Sequence, residues 1–257
     1  MKPCYKKWIF PALLLCFARA VSAQIVNIEE RRITGTSDTV NWYGHVRLGA
    51  NVSKVKDQVL QFNATGQVQY KEGKNLALLL FNGRFLRAGN KDFNQSWFAH
   101  QRYNYKLSDK LVAEAFLQAQ YNKILLIKLR ALAGAGLRYR FLKSRDGRQR
   151  LYAGLAYLYE HDEFLQGAGS ADRGRLSSYV SFTFRTPQGV KLVGTTYFQP
   201  ALADFGNYRL SSEWRLDAPL AKKLSFFMDF TYTTDQSLPL DAPTSTYAWL
   251  NGLGYKF

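Results

Sequence analysis

Cysteine is almost missing from this 257-residue chain, and the two that occur, Cys4 and Cys16, both sit near its beginning. Everything after them is thiol-free, which excludes a disulfide framework and a thiolate metal site. Acidic residues are also scarce, 19 against 35 lysines and arginines. Beyond the opening segment no run approaches the roughly 18 uninterrupted apolar residues that a membrane helix requires. That excludes a polytopic helical protein but not a membrane protein built from strands.

The opening segment has the form of an export signal. Lys2, Lys6 and Lys7 precede the apolar run IFPALLLCFA, and Val21 and Ala23 are the small residues before a cut. Leu15 before Cys16 is too large for a lipoprotein site. Without Lys2, Lys6, Lys7 and Arg19 the remaining chain carries about +12. An exported basic chain meets anionic surroundings: lipopolysaccharide, phospholipid headgroups or small anionic solutes. Nucleic acid is not an expected partner for a chain that leaves the cytoplasm.

Alternation dominates the rest. VNWYGHVRLGANV places Trp42, Gly44, Val46, Leu48 and Ala50 on one face and Tyr43, His45, Arg47 and Asn51 on the other. FNQSWFAHQRYNYKL, LVAEAFLQAQYN and IKLRALAGAGLRYRF repeat the pattern, and so does the closing TYAWLNGLGYKF. Period-two alternation of this length is a strand signal. The spacing predicts about 12 strands of roughly 9–14 residues, long enough to cross a bilayer on a tilt. NLALLLFNGRFLR is ambiguous, being apolar on both faces near its start.

The fold expected is therefore all-β, a single transmembrane antiparallel β-barrel over 40–257. A signal peptide over 1–23 and a periplasmic segment over 24–39 precede it. The run Glu29-Glu30-Arg31-Arg32 suits a solvated tail. An even strand count suits a closed barrel with both termini on one side. KEGKN, SDK, KSRDGRQ, TPQG and APLAKK then read as periplasmic turns, and HDEFLQGAGSADRG and DQSLPLDAPTST as the longest outer loops. Tyr70, Tyr105, Tyr139 and Trp214 gather at the periplasmic strand ends, and Phe93, Tyr121, Tyr157 and Tyr247 at the outer ends. Two aromatic belts around an aliphatic band match side chains at two headgroup layers.

The inward set is strongly basic. Arg47, Lys128, Arg130, Arg138, Arg140, Arg209 and Arg215 form the expected lumen cluster, joined by Arg84, Arg102, Arg185 and Lys191. Glu114, Glu160, Asp162, Glu213, Asp217 and Asp229 oppose them. Two readings follow: an internal ion-pair network filling a structural barrel, or a narrow anion-favouring channel. The rival class is an outer-membrane enzyme acting on lipid or lipopolysaccharide. It would need a histidine and a serine brought together. His45, His100 and His161 are the histidines available, and Ser96 lies four residues from His100, too far along a strand to bond. No catalytic residue, metal site or cofactor is expected.

The last residues, Gly252, Tyr255 and Phe257, resemble the outer-membrane assembly signal, which implies that the barrel insertion machinery reads the final strand. NWYGHVRLGANVSKVKD and YNKILLIKLRALAGAGLRYRF together resemble the outer-membrane family known as domain of unknown function 481, or salt-induced outer membrane proteins. The likeness runs from about Trp42 to Phe257, with Leu129-Arg130 through Gly134-Ala135-Gly136 to Tyr139 its most specific part. It implies an outer-membrane barrel and brings no substrate, ligand or catalytic residues.

Overall fold

The computed structural model describes residues 41–54, 56–89 and 91–255. The expected signal peptide, the 24–39 segment and Phe257 lie outside the described residues. Twelve strands follow in order: β1 (Asn41–Lys54), β2 (Gln58–Glu72), β3 (Asn75–Ala88), β4 (Lys91–Lys106), β5 (Leu111–Asn122) and β6 (Ile127–Lys143). They continue with β7 (Arg150–Phe164), β8 (Ser170–Arg185), β9 (Lys191–Pro200), β10 (Tyr208–Pro219), β11 (Leu224–Asp235) and β12 (Ser245–Tyr255). Each pairs antiparallel with its sequence neighbours in a single sheet. Among the described residues no helix is long and apolar enough to cross a membrane.

The sheet curls until side chains from distant strands touch. Arg130 on β6 bonds Asp235 on β11, and Tyr179 on β8 bonds Glu114 on β5. The ring expected from the even strand count is not completed by a β1–β12 ladder among the described residues. The lumen is instead enclosed by the curl of the strands between them, and β1 is exposed along most of its length.

Alternation decides which residues enter that lumen. On β12, Tyr247, Trp249, Leu253 and Tyr255 point outward and are exposed, while Thr246, Ala248, Leu250 and Gly252 point inward. Leu117, Leu137, Leu155 and Val180 carry the same apolar exterior across β5 to β8. So much exposed aliphatic surface is unfavourable in water and favourable against lipid. Neighbouring rings meet near the strand ends, as in Trp42–Tyr70 at 4.7 Å between centroids, Phe182–Trp214 at 5.5 Å and Phe198–Tyr208 at 5.7 Å.

The double-faced apolar start of β3 now has an explanation. Leu79 faces outward at 45% exposure, whereas Leu78 and Leu80 are inward at 1% and pack with Phe98. A second internal group joins Phe116, Leu132, Ala156 and Leu158. The lumen therefore holds an apolar layer between its charged ends, which the largely polar inward set of the sequence reading did not contain.

One expected loop is mostly strand. The ladder between β7 and β8 continues through Glu160↔Arg173 and Asp162↔Ala171, so the connector shrinks to 165–169. Cross-strand pairing of opposite charges is what carries these hydrophilic residues into the sheet. The longest connectors are 201–207 and 236–244, both at the end where β7 meets β8. We refer to this as the loop end, and to the opposite end, with the turns at 73–74, 107–110 and 144–149, as the turn end.

Gly136 shows how closely β6 and β7 approach. A Cβ there would lie 2.2 Å from the carbonyl oxygen of Leu155 and 2.5 Å from Cα of Ala156, so backbone must move to admit it. Gly136→Ala should therefore destabilise the fold by about 1–3 kcal/mol. A Cβ at Gly49 meets nothing within 4 Å, so Gly49→Ala should stay within about 0.5 kcal/mol of the parent. Urea midpoints of the two variants in detergent provide the check, and equal midpoints would contradict the close approach.

Candidate functional site

At the loop end, strand register brings opposite charges together. Arg130 stands directly across from Asp162, and Arg209 directly across from Asp235, while Glu160 and Asp162 share a face because they are two residues apart. Arg130 donates through Nε and Nη2 to the two oxygens of Asp162, at 2.6 and 3.0 Å, and through Nη1 to Asp235 at 2.9 Å. Arg209 donates to Asp235 at 3.0 Å and to Glu160 at 2.8 Å. Arg175 donates to the other oxygen of Glu160 at 3.0 Å and to the backbone oxygens of Gln199 and Asn207. Arg173 completes the set on Asp162 at 3.0 Å.

All of these groups except Arg173 are buried, Glu160 and Asp162 at 0% exposure. Forked guanidinium–carboxylate bonds of this kind are strong and directional. Each carboxylate is shared by two arginines or more, so the network crosses the lumen instead of lining one wall.

A smaller network lies beyond the apolar layer. Glu114 accepts from Arg102 at 3.1 Å and from the hydroxyl of Tyr179 at 2.6 Å, with Arg138 Nη1 3.9 Å away. The Arg102 guanidinium also sits over the Phe116 ring, and that of Arg138 lies 3.7 Å from the Tyr152 ring centroid. A cation held against an aromatic face gains electrostatic attraction where water is scarce.

The expected basic cluster is thus divided among several environments. Arg130 and Arg209 belong to the loop-end network and Arg138 to the inner one. Arg140 is half-buried and lines a cavity at the turn end. Arg215 is half-exposed, 3.5 Å from Asp229 and 3.6 Å from Asp217. Arg47 is exposed on β1, opposite Thr65.

Lys128 does not face the lumen. The β6–β7 register shifts between Ile127 and Leu129, which turns Ile127 inward at 0% exposure and leaves Lys128 outside, paired with Glu163 at 3.0 Å. A bulge adds one residue and so exchanges the two faces. Arg173 and Asp235 were absent from the inward set because their segments read as loops, and Arg175 because it opened a strand read as starting there. The alternation Arg173, Arg175, Ser177, Tyr179 was the available signal.

The remaining candidates have ordinary surroundings. His100 lies between Phe98 and Phe116, its Nδ1 3.1 Å from Gln118 and its Nε2 3.4 Å from Arg102 Nε. His161 and Glu163 point outward while Asp162 points inward, so HDE does not converge on one point. No group of three or more such residues suited to a metal occurs among the described residues. Gly252 is inward, where a Cβ would lie 2.6 Å from the Phe227 ring, and Tyr255 is exposed at the end of β12. Gly252 therefore has a packing reason of its own, to seat Phe227.

The model of the family described as protein of unknown function, DUF481, matches residues 46–257. No curated protein matches the chain. Among solved structures, the NanC porin in a rhombohedral crystal form is similar at 11% identity and a TM-score of 0.44, covering 85% of this chain and 98% of that one. The translocator domain of the autotransporter NalP from Neisseria meningitidis is similar at 11% identity and a TM-score of 0.33, covering 84% and 87%.

Proposed function

The chain belongs to the family of proteins of unknown function DUF481, and from that premise we propose a structural β-barrel of the bacterial outer membrane that is closed to free ion flow. The observation that carries this reading is the loop-end network, in which Arg130, Arg175 and Arg209 are each fixed by buried carboxylates. A guanidinium held in this way is not available to lead an anion through. The apolar layer around Leu80, Phe116 and Leu158 supports the reading, since an ion passing it would be stripped of water.

The turn end faces the periplasm in this reading, because the longest connectors lie at the other end. The outward belts meet phospholipid and lipopolysaccharide, and the last strand is the segment for the insertion machinery to read.

A narrow anion-favouring channel is the second reading, supported by the surplus of cations at the turn-end mouth. An enzyme acting on lipid or lipopolysaccharide is the third, and it requires His100→Ala or Ser96→Ala to abolish hydrolysis. His100 spends its ring on Gln118 and Arg102, which does not favour that role.

Current through the folded chain in a planar bilayer separates the first two. The expected result is a silent baseline from protein that still migrates differently before and after boiling. Stable anion-selective steps, diminished by Arg138→Gln, would replace the closed barrel with the channel.

A further inference from the structure

At the turn end, the turns at 73–74 and 107–110 and the inward faces of β6 and β7 surround a cavity of about 180 Å³. Lys71, Lys74, Lys106, Lys110, Arg138 and Arg140 all line it. Lys74, Lys106 and Lys110 are exposed at the mouth, whereas Arg138 is buried at 2% exposure and stacked on Tyr152. The cavity thus has a buried guanidinium inside and exposed ammonium groups around its rim.

Its charge is poorly balanced from within. Asp109 is the carboxylate among the described lining residues, and it is engaged by Lys106 at 2.8 Å. The hydrogen bond from Lys106 holds Asp109 below the usual carboxylate range, so it is ionised at neutral pH. Behind the cavity, Glu114 lies 3.9 Å from Arg138 but also serves Arg102 and Tyr179. Like charges brought together in a concavity repel one another, and the low-dielectric wall concentrates their field. An anion carrying more than one charge relieves that repulsion. Arginine supplies a fork that matches phosphate oxygens, and lysine supplies point charges around them.

We propose that this turn-end cavity is a binding site for a phosphate-bearing polyanion, with Arg138 and Arg140 at its base and Lys74 and Lys110 at its mouth. The source of the phosphate is either a soluble diphosphate-type anion or an anionic phospholipid headgroup. The closed-barrel reading above supplies only the compartment that the cavity faces.

Calorimetric titration of the full folded chain in uncharged detergent with inorganic pyrophosphate is the test. Saturable binding is expected, weakened by added sodium chloride. The Lys74→Gln/Lys110→Gln variant changes only exposed side chains, should keep its heat-modifiable migration, and should bind ~tenfold more weakly. Native mass spectrometry with the doubly charged lipid cardiolipin and with phosphatidylcholine distinguishes the sources. Retention of cardiolipin alone, lost in the variant, makes a lipid headgroup the occupant; pyrophosphate binding without that preference makes it a soluble anion. Absence of both, or an unchanged affinity in the folded variant, overturns the site. Neither measurement reads conductance, so this failure is separate from failure of the closed barrel.

Discussion

Glu160→Ala is expected to destabilise the folded barrel by about 3–5 kcal/mol, because it leaves buried positive charge without its counter-charge. Arg175 Nε and Arg209 Nη1 lose their carboxylate together, at sites where neither side chain is more than 4% exposed. Asp235 still holds one edge of Arg209, so the greater damage falls on Arg175. Glu160→Gln keeps an oxygen acceptor but not the charge and should lie between the two. The measurement is the urea midpoint in detergent, followed by the migration difference on gels. A loss under about 1 kcal/mol would mean that water already reaches these guanidinium groups, and the closed lumen would fail with it.

Leu117→Arg is expected to cost about 2–4 kcal/mol if its strand crosses lipid, the penalty for arginine near the midplane on the outward face. Leu117 stands midway along β5, outward, and 56% exposed. Phe93→Arg, at the loop end of β4 where a charge can reach the headgroups, should cost only about 0–1 kcal/mol. Stability of both variants in lipid bilayers gives the comparison. The contrast between depths is diagnostic, because a water-facing surface would accept arginine equally well at either site.

Much of the architecture could be read from alternation alone. A lipid-facing exterior and a largely polar interior force period two onto every strand, and a one-residue slip would put charge into the bilayer. β12 shows this most clearly, with each outward residue exposed and each inward residue half-buried. The site was less legible, for two physical reasons. A bulge leaves the composition of a strand unchanged while exchanging its faces, which is why Lys128 looked inward. In addition, His161-Asp162-Glu163 and Asp172-Arg173 are as hydrophilic as any loop, and only pairing across β7 and β8 reveals them as ladder partners. The interior leucines of β3 were ambiguous for the opposite reason, since lipid and the internal apolar layer both accept Leu78, Leu79 and Leu80.

The loop-end network also joins residues that are far apart along the chain. Arg130 and Asp162 are 32 residues apart, whereas Arg130 and Asp235 are 105 apart, and Asp235 ends the last strand but one. In a sheet growing from the amino terminus, Arg130 and Arg209 are therefore present before Asp235, the carboxylate they share, has arrived. Until β11 docks, burying these two cations without Asp235 is costly. Asp235 supplies the carboxylate that Arg130 and Arg209 share, so in such an order a single late-made aspartate completes the network.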